Sequence, residues 1–190
     1  IAHPRLECVF TVDEEVGMLG AEKISLSMLK GHQVLNIDSD VEGTFLTSCA
    51  GGVTAECSFP LVFDEAEGLQ YRLILTGLMG GHSGGDIHLG RGNANKILNR
   101  FLSRMANRQD LYLCEINGGN LRNAIPREAY AICAVPEDAK HDVRTELNIF
   151  TSEVENELSC TEPDLKLVLE SETPRKTAID QDTTARLLKA

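Results

Sequence analysis

Basic residues are scarce in this sequence. Its 190 residues include 18 Lys and Arg against 29 Asp and Glu, which gives a formal net charge of -11. A surface that binds nucleic acid needs clustered Lys and Arg to neutralise phosphates, so we expect no nucleic-acid partner. An acidic surface is usually only a solvated one, although it also suits a protein that concentrates divalent cations.

Long apolar runs and paired cysteine motifs are also missing. No apolar stretch approaches the ~20 residues of a membrane-spanning helix, so we expect no membrane partner and a soluble, globular chain. No Cys-x-x-Cys motif occurs among the six cysteines, most of which lie in apolar alternating runs. Buried free thiols in a reducing cytoplasm are the favoured interpretation, with disulfides or zinc ligation as the alternatives.

Adjacent carboxylates follow an apolar, strand-like run near the amino terminus. Residues 6–12 form the run, and Asp13, Glu14 and Glu15 come directly after it. Open α/β sheets hold their ligands at the carboxyl ends of strands. Because neighbouring side chains diverge, one glutamate can coordinate a divalent cation while the other takes a proton from water. The alternative is an acidic, solvated turn.

A second apolar run repeats this arrangement. Residues 34–37 lead into Asp38, and the apolar spacing of residues 18–30 between the two runs predicts a helix that crosses over between parallel strands. Such a unit would place Glu14, Glu15 and Asp38 on one edge of a sheet. We therefore predict an α/β fold with a candidate metal site over residues 1–51.

From residue 52 onward the pattern predicts an α+β domain, with one antiparallel sheet covered by two helices. The apolar period changes to two from Val53, and helical spacing appears twice later in the chain. The predicted strands are 53–61, 71–79, 111–116, 128–135 and 165–169. The predicted helices are 94–105, capped by Asn93, and 137–158, with a further helix starting at 183.

A glycine-rich segment and an asparagine stand out within this second part. Seven glycines lie between Gly77 and Gly92, and His82 is placed among them. A phosphate-binding loop would end in Gly-Lys-Ser/Thr, which this segment lacks, so His82 is either an exposed loop residue or a site residue. Pro126 restricts the backbone that follows Asn123, which is either a turn former or a side chain held toward a ligand.

Four motifs in register give the sequence a specific resemblance. They are Thr11-Val12-Asp13-Glu14-Glu15-Val16-Gly17, Asn36-Ile37-Asp38-Ser39, Gly80-Gly81-His82-Ser83-Gly84-Gly85-Asp86-Ile87-His88 and Arg122-Asn123-Ala124-Ile125-Pro126. Together with Asn117-Gly118-Gly119-Asn120, they resemble the bacterial aminoacyl-histidine dipeptidases. Those enzymes belong to the di-zinc exopeptidase family, and the resemblance covers nearly the whole chain.

The resemblance implies a role for each candidate residue. Glu14 matches the general base, Glu15 matches a ligand of one zinc ion, and Asp38 matches a ligand of the other. His82 matches a lid histidine that stabilises the oxyanion, and Asn123 matches a lid asparagine that contacts the dipeptide substrate. Two zinc ions and a cytoplasmic enzyme that cleaves Xaa-His dipeptides are therefore expected.

The sequence departs from the family in its metal ligands. The family has a His-x-Asp motif, a bridging Asp and a late His ligand, and none of the five histidines here is followed two residues later by Asp. We therefore expect an internal fragment: part of the catalytic domain over residues 1–51 and a lid domain over 52–190, inactive without further ligands. The alternative is a non-catalytic module that self-associates through an edge strand, for example as a homodimer.

Overall fold

The computed structural model describes residues 2–38, 41–48, 51 and 53–190. It divides into two units, Ile1–Ala55 and Glu56–Ala190. Within the described residues of the first unit, regular structure is limited to helix α1 (Leu19–Glu22) and a 3-10 turn at Leu26–Met28. None of the described helices is both long enough and apolar enough to cross a bilayer.

The parallel strands predicted for the first unit are wrong in this structure. Residues 6–12 and 34–38 form no strand, and the predicted crossover helix over 18–30 is reduced to α1 and the 3-10 turn. A parallel strand forms when neighbours accept its backbone hydrogen bonds and both of its faces are buried. Here the apolar side chains are open to solvent, with Phe10 92% and Ile37 93% exposed.

The second unit is built on a four-stranded antiparallel sheet. Its strands lie in the order β4-β6-β2-β7, and two further pairs, β1-β8 and β3-β5, are also antiparallel. The strands are β1 (Phe63–Glu65), β2 (Leu69–Thr76), β3 (Gly81–His82), β4 (Tyr112–Gly118), β5 (Ala124–Ile125), β6 (Ala129–Val135), β7 (Lys166–Ser171) and β8 (Thr177–Ile179). The helices are α2 (Ala94–Ala106), α3 (Lys140–Glu157) and α4 (Gln181–Lys189).

Two helices cover one face of this sheet, as the apolar spacing predicts. Leu73 and Leu75 of β2 are fully buried in the same cluster as Phe101 of α2 and Phe150 of α3. The two phenylalanine rings lie 5.4 Å apart between centroids, at a tilted angle that suits their quadrupoles. Ion pairs across the outer side, including Arg100 with Glu157 at 2.7 Å, also join the two helices.

The prediction for α2 is confirmed down to its cap. The Asn93 side-chain oxygen accepts a hydrogen bond from the Lys96 amide at 3.2 Å, which satisfies one of the free N–H groups of the first turn. The predicted strand over 53–61 is wrong, since those residues are irregular and exposed. An alternating pattern supplies one apolar face, but a strand also needs a partner for its backbone hydrogen bonds. The first strand of this region is β1, Phe63–Glu65, which pairs with β8.

Residues 172–176 run across the sheet face opposite the helices, and we call them the crossing segment. The buried Gln70 side chain accepts from the Arg175 amide at 2.7 Å and donates to the Arg175 carbonyl at 2.9 Å. The Arg175 guanidinium also pairs with Glu115 of β4 at 2.7 Å. These contacts hold the crossing segment, which connects β7 to β8, against the four-stranded sheet.

The cysteine prediction is confirmed only in part. The five cysteines that the structure describes are free, and Cys133 of β6 is buried. Cys8, Cys57 and Cys160 are exposed, which contradicts the prediction that these thiols are buried. Cys49 lies outside the described residues. Cys8 and Cys57 belong to the segments whose predicted strands do not form, so no sheet covers them.

Candidate functional site

The three candidate carboxylates of the first unit lie on exposed, irregular chain. Glu14 and Glu15 belong to a tight loop in which the Met18 amide donates to the Asp13 carbonyl at 2.7 Å. Asp13 and Met18 adopt left-handed backbone conformations, each with φ of 60°. For residues other than glycine such a conformation costs roughly 1 kcal/mol or more and often marks functional loops. Asp38 is also exposed.

The described residues do not complete a zinc site. Hydrolytic zinc normally has three protein ligands and a water. Across residues 2–38, 41–48, 51 and 53–190, no three His, Cys, Asp or Glu side chains converge to hold an ion. Carboxylates have the right chemistry as ligands, but Glu15 and Asp38 are too few.

The second unit brings two candidate residues together. His82 in β3 lies opposite Ala124 in β5, and the Ser83 amide donates to the Asn123 carbonyl at 2.8 Å. His82 and Asn123 are therefore neighbours across a short antiparallel ladder, although 40 residues separate them in the chain. The sequence motifs mark each residue, and the fold brings their backbones close together, with His82 opposite Ala124 and Asn123 beside Ser83.

Backbone groups fix the tautomer of His82. Its Nδ1 atom accepts hydrogen bonds from the amides of Gly84, at 3.1 Å, and Gly85, at 2.9 Å. An imidazole nitrogen that accepts carries no proton, so in the neutral ring the proton is assigned to Nε2. The exposed His82 side chain therefore presents an N–H donor on the ring edge that faces away from its own loop.

Side chains from the loop itself brace the position of His82. We call residues 79–92 the His82 loop. The Asp86 carboxylate accepts from the His82 amide at 2.9 Å, and Arg91 donates to the Gly80 carbonyl at 2.6 Å. Gly81 lies between them with a φ of +142°, a backbone conformation that residues with a side chain rarely adopt. Sequence analysis missed Asp86 and Arg91 as bracing residues.

A cavity of about 550 Å³ lies beside the β3–β5 ladder, and neither His82 nor Asn123 is among the residues that line it. Gly81 and Ala124, which adjoin His82 and Asn123 in the ladder, line it together with the turn at 117–121 and the end of β2. Arg127 is also among the lining residues, whereas the neighbouring Arg122 is not. A pocket of this size with a few polar groups suits a small molecule.

Comparison with known proteins connects this geometry to peptidases. Residues 74–161 match the family model described as a peptidase dimerisation domain. The chain is 42% identical to the cytosol non-specific dipeptidase of Escherichia coli (strain K12) over 195 residues. The chain is similar to part of a bacterial dipeptidase. The alignment takes in all of this chain and 40% of that enzyme.

A solved structure supports the same relationship. The aminoacylhistidine dipeptidase of Vibrio alginolyticus superimposes with a TM-score of 0.73 at 38% identity, over 94% of this chain and 37% of that one. The resemblance stated from the motifs is therefore confirmed. Strand β3, which contains His82, and strand β5, which directly follows Asn123, lie inside the segment that matches the dimerisation domain.

Proposed function

We propose that this chain is part of a metal-dependent dipeptidase, in which His82 and Asn123 contact the substrate. The observation that carries the proposal is the pairing of β3 with β5, with the His82 proton assigned to Nε2. A fixed N–H donor of this kind can meet the negative charge that develops on a scissile carbonyl. Asn123 beside it adds amide groups for the peptide backbone.

The first unit would supply the residues nearer to bond cleavage. Glu14 would take the proton of the attacking water and pass it to the leaving amine. Glu15 and Asp38 would be two of the zinc ligands, with the others outside this chain. Under this proposal residues 1–51 belong to a catalytic domain, residues 52–190 form the lid, and the chain alone is inactive.

The relatives support the choice of substrate class. One is named a non-specific dipeptidase of the cytosol and the other an aminoacylhistidine dipeptidase. We therefore extend the proposal to a cytoplasmic enzyme that accepts dipeptides, with Xaa-His among them. Arg127, which lines the cavity together with Gly81 and Ala124, has the charge to attract a dipeptide carboxylate.

The decisive experiment measures hydrolysis of β-alanyl-histidine and glycyl-histidine by the full-length protein, with and without added zinc. We expect zinc-dependent cleavage that Glu14→Ala lowers by about 10²–10⁴-fold, as loss of a general base does. The 190-residue chain should show none. A full-length protein that binds zinc yet cleaves neither dipeptide would refute the substrate assignment.

Self-association is the second candidate function, and the match to a dimerisation domain favours it. Strand β7 forms one edge of the four-stranded sheet, and its Val168 is 44% exposed. Unpaired edges join other strands unless charge or shape prevents it. Analytical ultracentrifugation should therefore show a dimer that Val168→Asp weakens; a monomer at all concentrations would exclude this role.

A further inference from the structure

Glu162 is a buried carboxylate with no part in the proposed chemistry. It is 2% exposed and lies between α3 and β7. Its Oε2 atom accepts a hydrogen bond from the Met79 amide at 2.6 Å, and its Oε1 atom accepts one from the Gly92 amide at 2.7 Å. An ionised carboxylate only accepts hydrogen bonds, so each of its two oxygens has a matching donor.

The two amides stand at the two ends of the His82 loop. Met79 begins the loop directly after Leu78, and Gly92 ends it one residue before the Asn93 cap of α2. One side chain therefore fastens both stems of the segment that carries His82. The Asp86 and Arg91 contacts brace the loop from within, whereas Glu162 ties it to the body of the second unit.

Close packing leaves these stems little freedom. A Cβ at Gly92 would lie 3.3 Å from Cγ of Glu162, and one at Gly77 would lie 1.9 Å from the Asp164 carbonyl oxygen. Glu162 is itself anchored, because its amide donates to the Leu158 carbonyl at 2.8 Å, just past the end of α3. The backbone that carries the Glu162 carboxylate is therefore held in place. Because Gly92 has no side chain, its backbone can approach this carboxylate closely.

We propose that Glu162 is a positioning residue for His82. By holding both ends of the loop, it sets the place from which the Nε2 proton meets the substrate. This inference rests on the proposed function of His82. Misplacing a reacting group by about 1 Å can lower the rate about 10²-fold. Loss of one of the two hydrogen bonds of Glu162 should therefore lower the rate of cleavage.

Glu162→Gln is the sharpest variant. It keeps the size of the side chain but replaces one acceptor oxygen by an NH₂ group, which then faces a backbone N–H donor. Glu155→Gln is the matched control, since it makes the same change at an exposed position of α3. If Glu162→Gln does not fold, Glu162→Asp keeps the charge while its shorter side chain no longer reaches both amides.

The first test is a double-mutant cycle for kcat in the full-length enzyme. We expect Glu162→Gln to lower kcat about 10–100-fold in the wild-type background and less than about twofold in the His82→Ala background, because it acts through His82. Glu155→Gln should leave kcat unchanged. Equal losses in both backgrounds, or an unchanged kcat, would overturn the proposal.

The second test does not depend on activity. Amide hydrogen exchange in the full-length protein should be at least about tenfold faster at Met79 and Gly92 in Glu162→Gln, and unchanged at Leu102 and Leu147 in the helices. A uniform acceleration would mean general destabilisation and would overturn the proposal. If no dipeptide is cleaved, the proposed function fails, and the exchange result still decides whether Glu162 holds the loop.

Discussion

At the scale of single residues, His82 combines an exposed side chain with an orientation set by backbone amides. The Gly84 and Gly85 amides contact Nδ1, so the ring is held without being packed in a core. Replacing such a side chain removes its chemistry and little of the folding energy.

We therefore predict that His82→Ala lowers kcat for dipeptide cleavage in the full-length protein by about 10²–10³-fold, the usual loss for one oxyanion donor. The free energy of unfolding should change by less than about 0.5 kcal/mol, as for other surface positions. Dipeptide assays and urea denaturation measure the two quantities. A kcat within about threefold of wild type would contradict the assigned role.

Cys133 shows the opposite situation, a reactive group made inert by its surroundings. Burial in β6 raises the pKa of its thiol to about 12, because the charged thiolate would lose its hydration. At pH 8 only about one thiol in 10⁴ is then ionised, and thiolate is the reacting form. We predict that iodoacetamide at pH 8 labels the exposed Cys160 and spares Cys133. Mass spectrometry would detect both, and equal labelling would disprove the prediction.

At the scale of elements, the sequence predicts the helices of the second unit well, together with strands β2, β4, β6 and β7, whereas the helix predicted over 18–30 does not form as predicted. Ile97, Phe101 and Met105 recur at helical spacing, and α2 ends one residue beyond the predicted boundary. A helix satisfies its own backbone hydrogen bonds, so a local pattern suffices to define it. A strand needs a partner that is distant in the chain, which explains why the strands predicted over 6–12, 34–38 and 53–61 do not form.

The same reasoning applies to the candidate site. Motifs mark His82 and Asn123 individually, but β3 and β5 are only two residues long, so their pairing carries no local signal. Glu162 lies in the polar sequence Thr161-Glu162-Pro163, which is typical of a turn. Its burial and its two amide contacts follow from how three distant segments meet, which no single stretch of sequence contains.

Glu115 of β4 gives the sheet a pH-dependent contact. The Tyr130 hydroxyl donates to Glu115, and this hydrogen bond, followed by the charge of Arg175, lowers the pKa of that carboxyl below its usual range. A lowered pKa in the folded state stabilises the protein above the unfolded-state value of about 4.3, and the gain is lost as pH falls through the folded-state value.

We therefore predict that lowering the pH from about 6 to about 3.5 reduces the free energy of unfolding more in wild type than in Glu115→Gln. Tyr130→Phe should fall between the two, since it removes the hydrogen bond and keeps the carboxylate. Urea denaturation at each pH gives the values. Identical pH dependence in wild type and Glu115→Gln would show that Glu115 contributes nothing.

At the scale of the whole molecule, the two units differ in how they bury apolar side chains. Phe10 and Phe45 in the first unit are 92% and 94% exposed, whereas Phe101 and Phe150 in the second are 1% and 2% exposed. A protease cleaves where the backbone is accessible or opens locally, so the two units should differ in their susceptibility.

Brief chymotrypsin treatment of the 190-residue chain should therefore cut after Phe10 and Phe45 well before Phe101 and Phe150. We expect a resistant product that begins after residue 45 and contains the whole four-stranded sheet. Mass spectrometry of timed samples identifies the cuts. Simultaneous cleavage at all four phenylalanines would show that the second unit is no more stable than the first.

The pairing of β1 with β8 has a consequence for how this fold could be moved between proteins. Phe63 lies opposite Ile179, and Glu65 opposite Thr177, so the chain enters and leaves the sheet side by side. Partners in an antiparallel ladder have Cα atoms about 5 Å apart. Helix α4 follows directly, and its Leu188 is buried in the same core, so a transferable segment has to run from Phe63 to the end of α4. In such a graft the β1–β8 ladder would hold the incoming chain beside the start of α4, so that only the chain after α4 needs to return to the host.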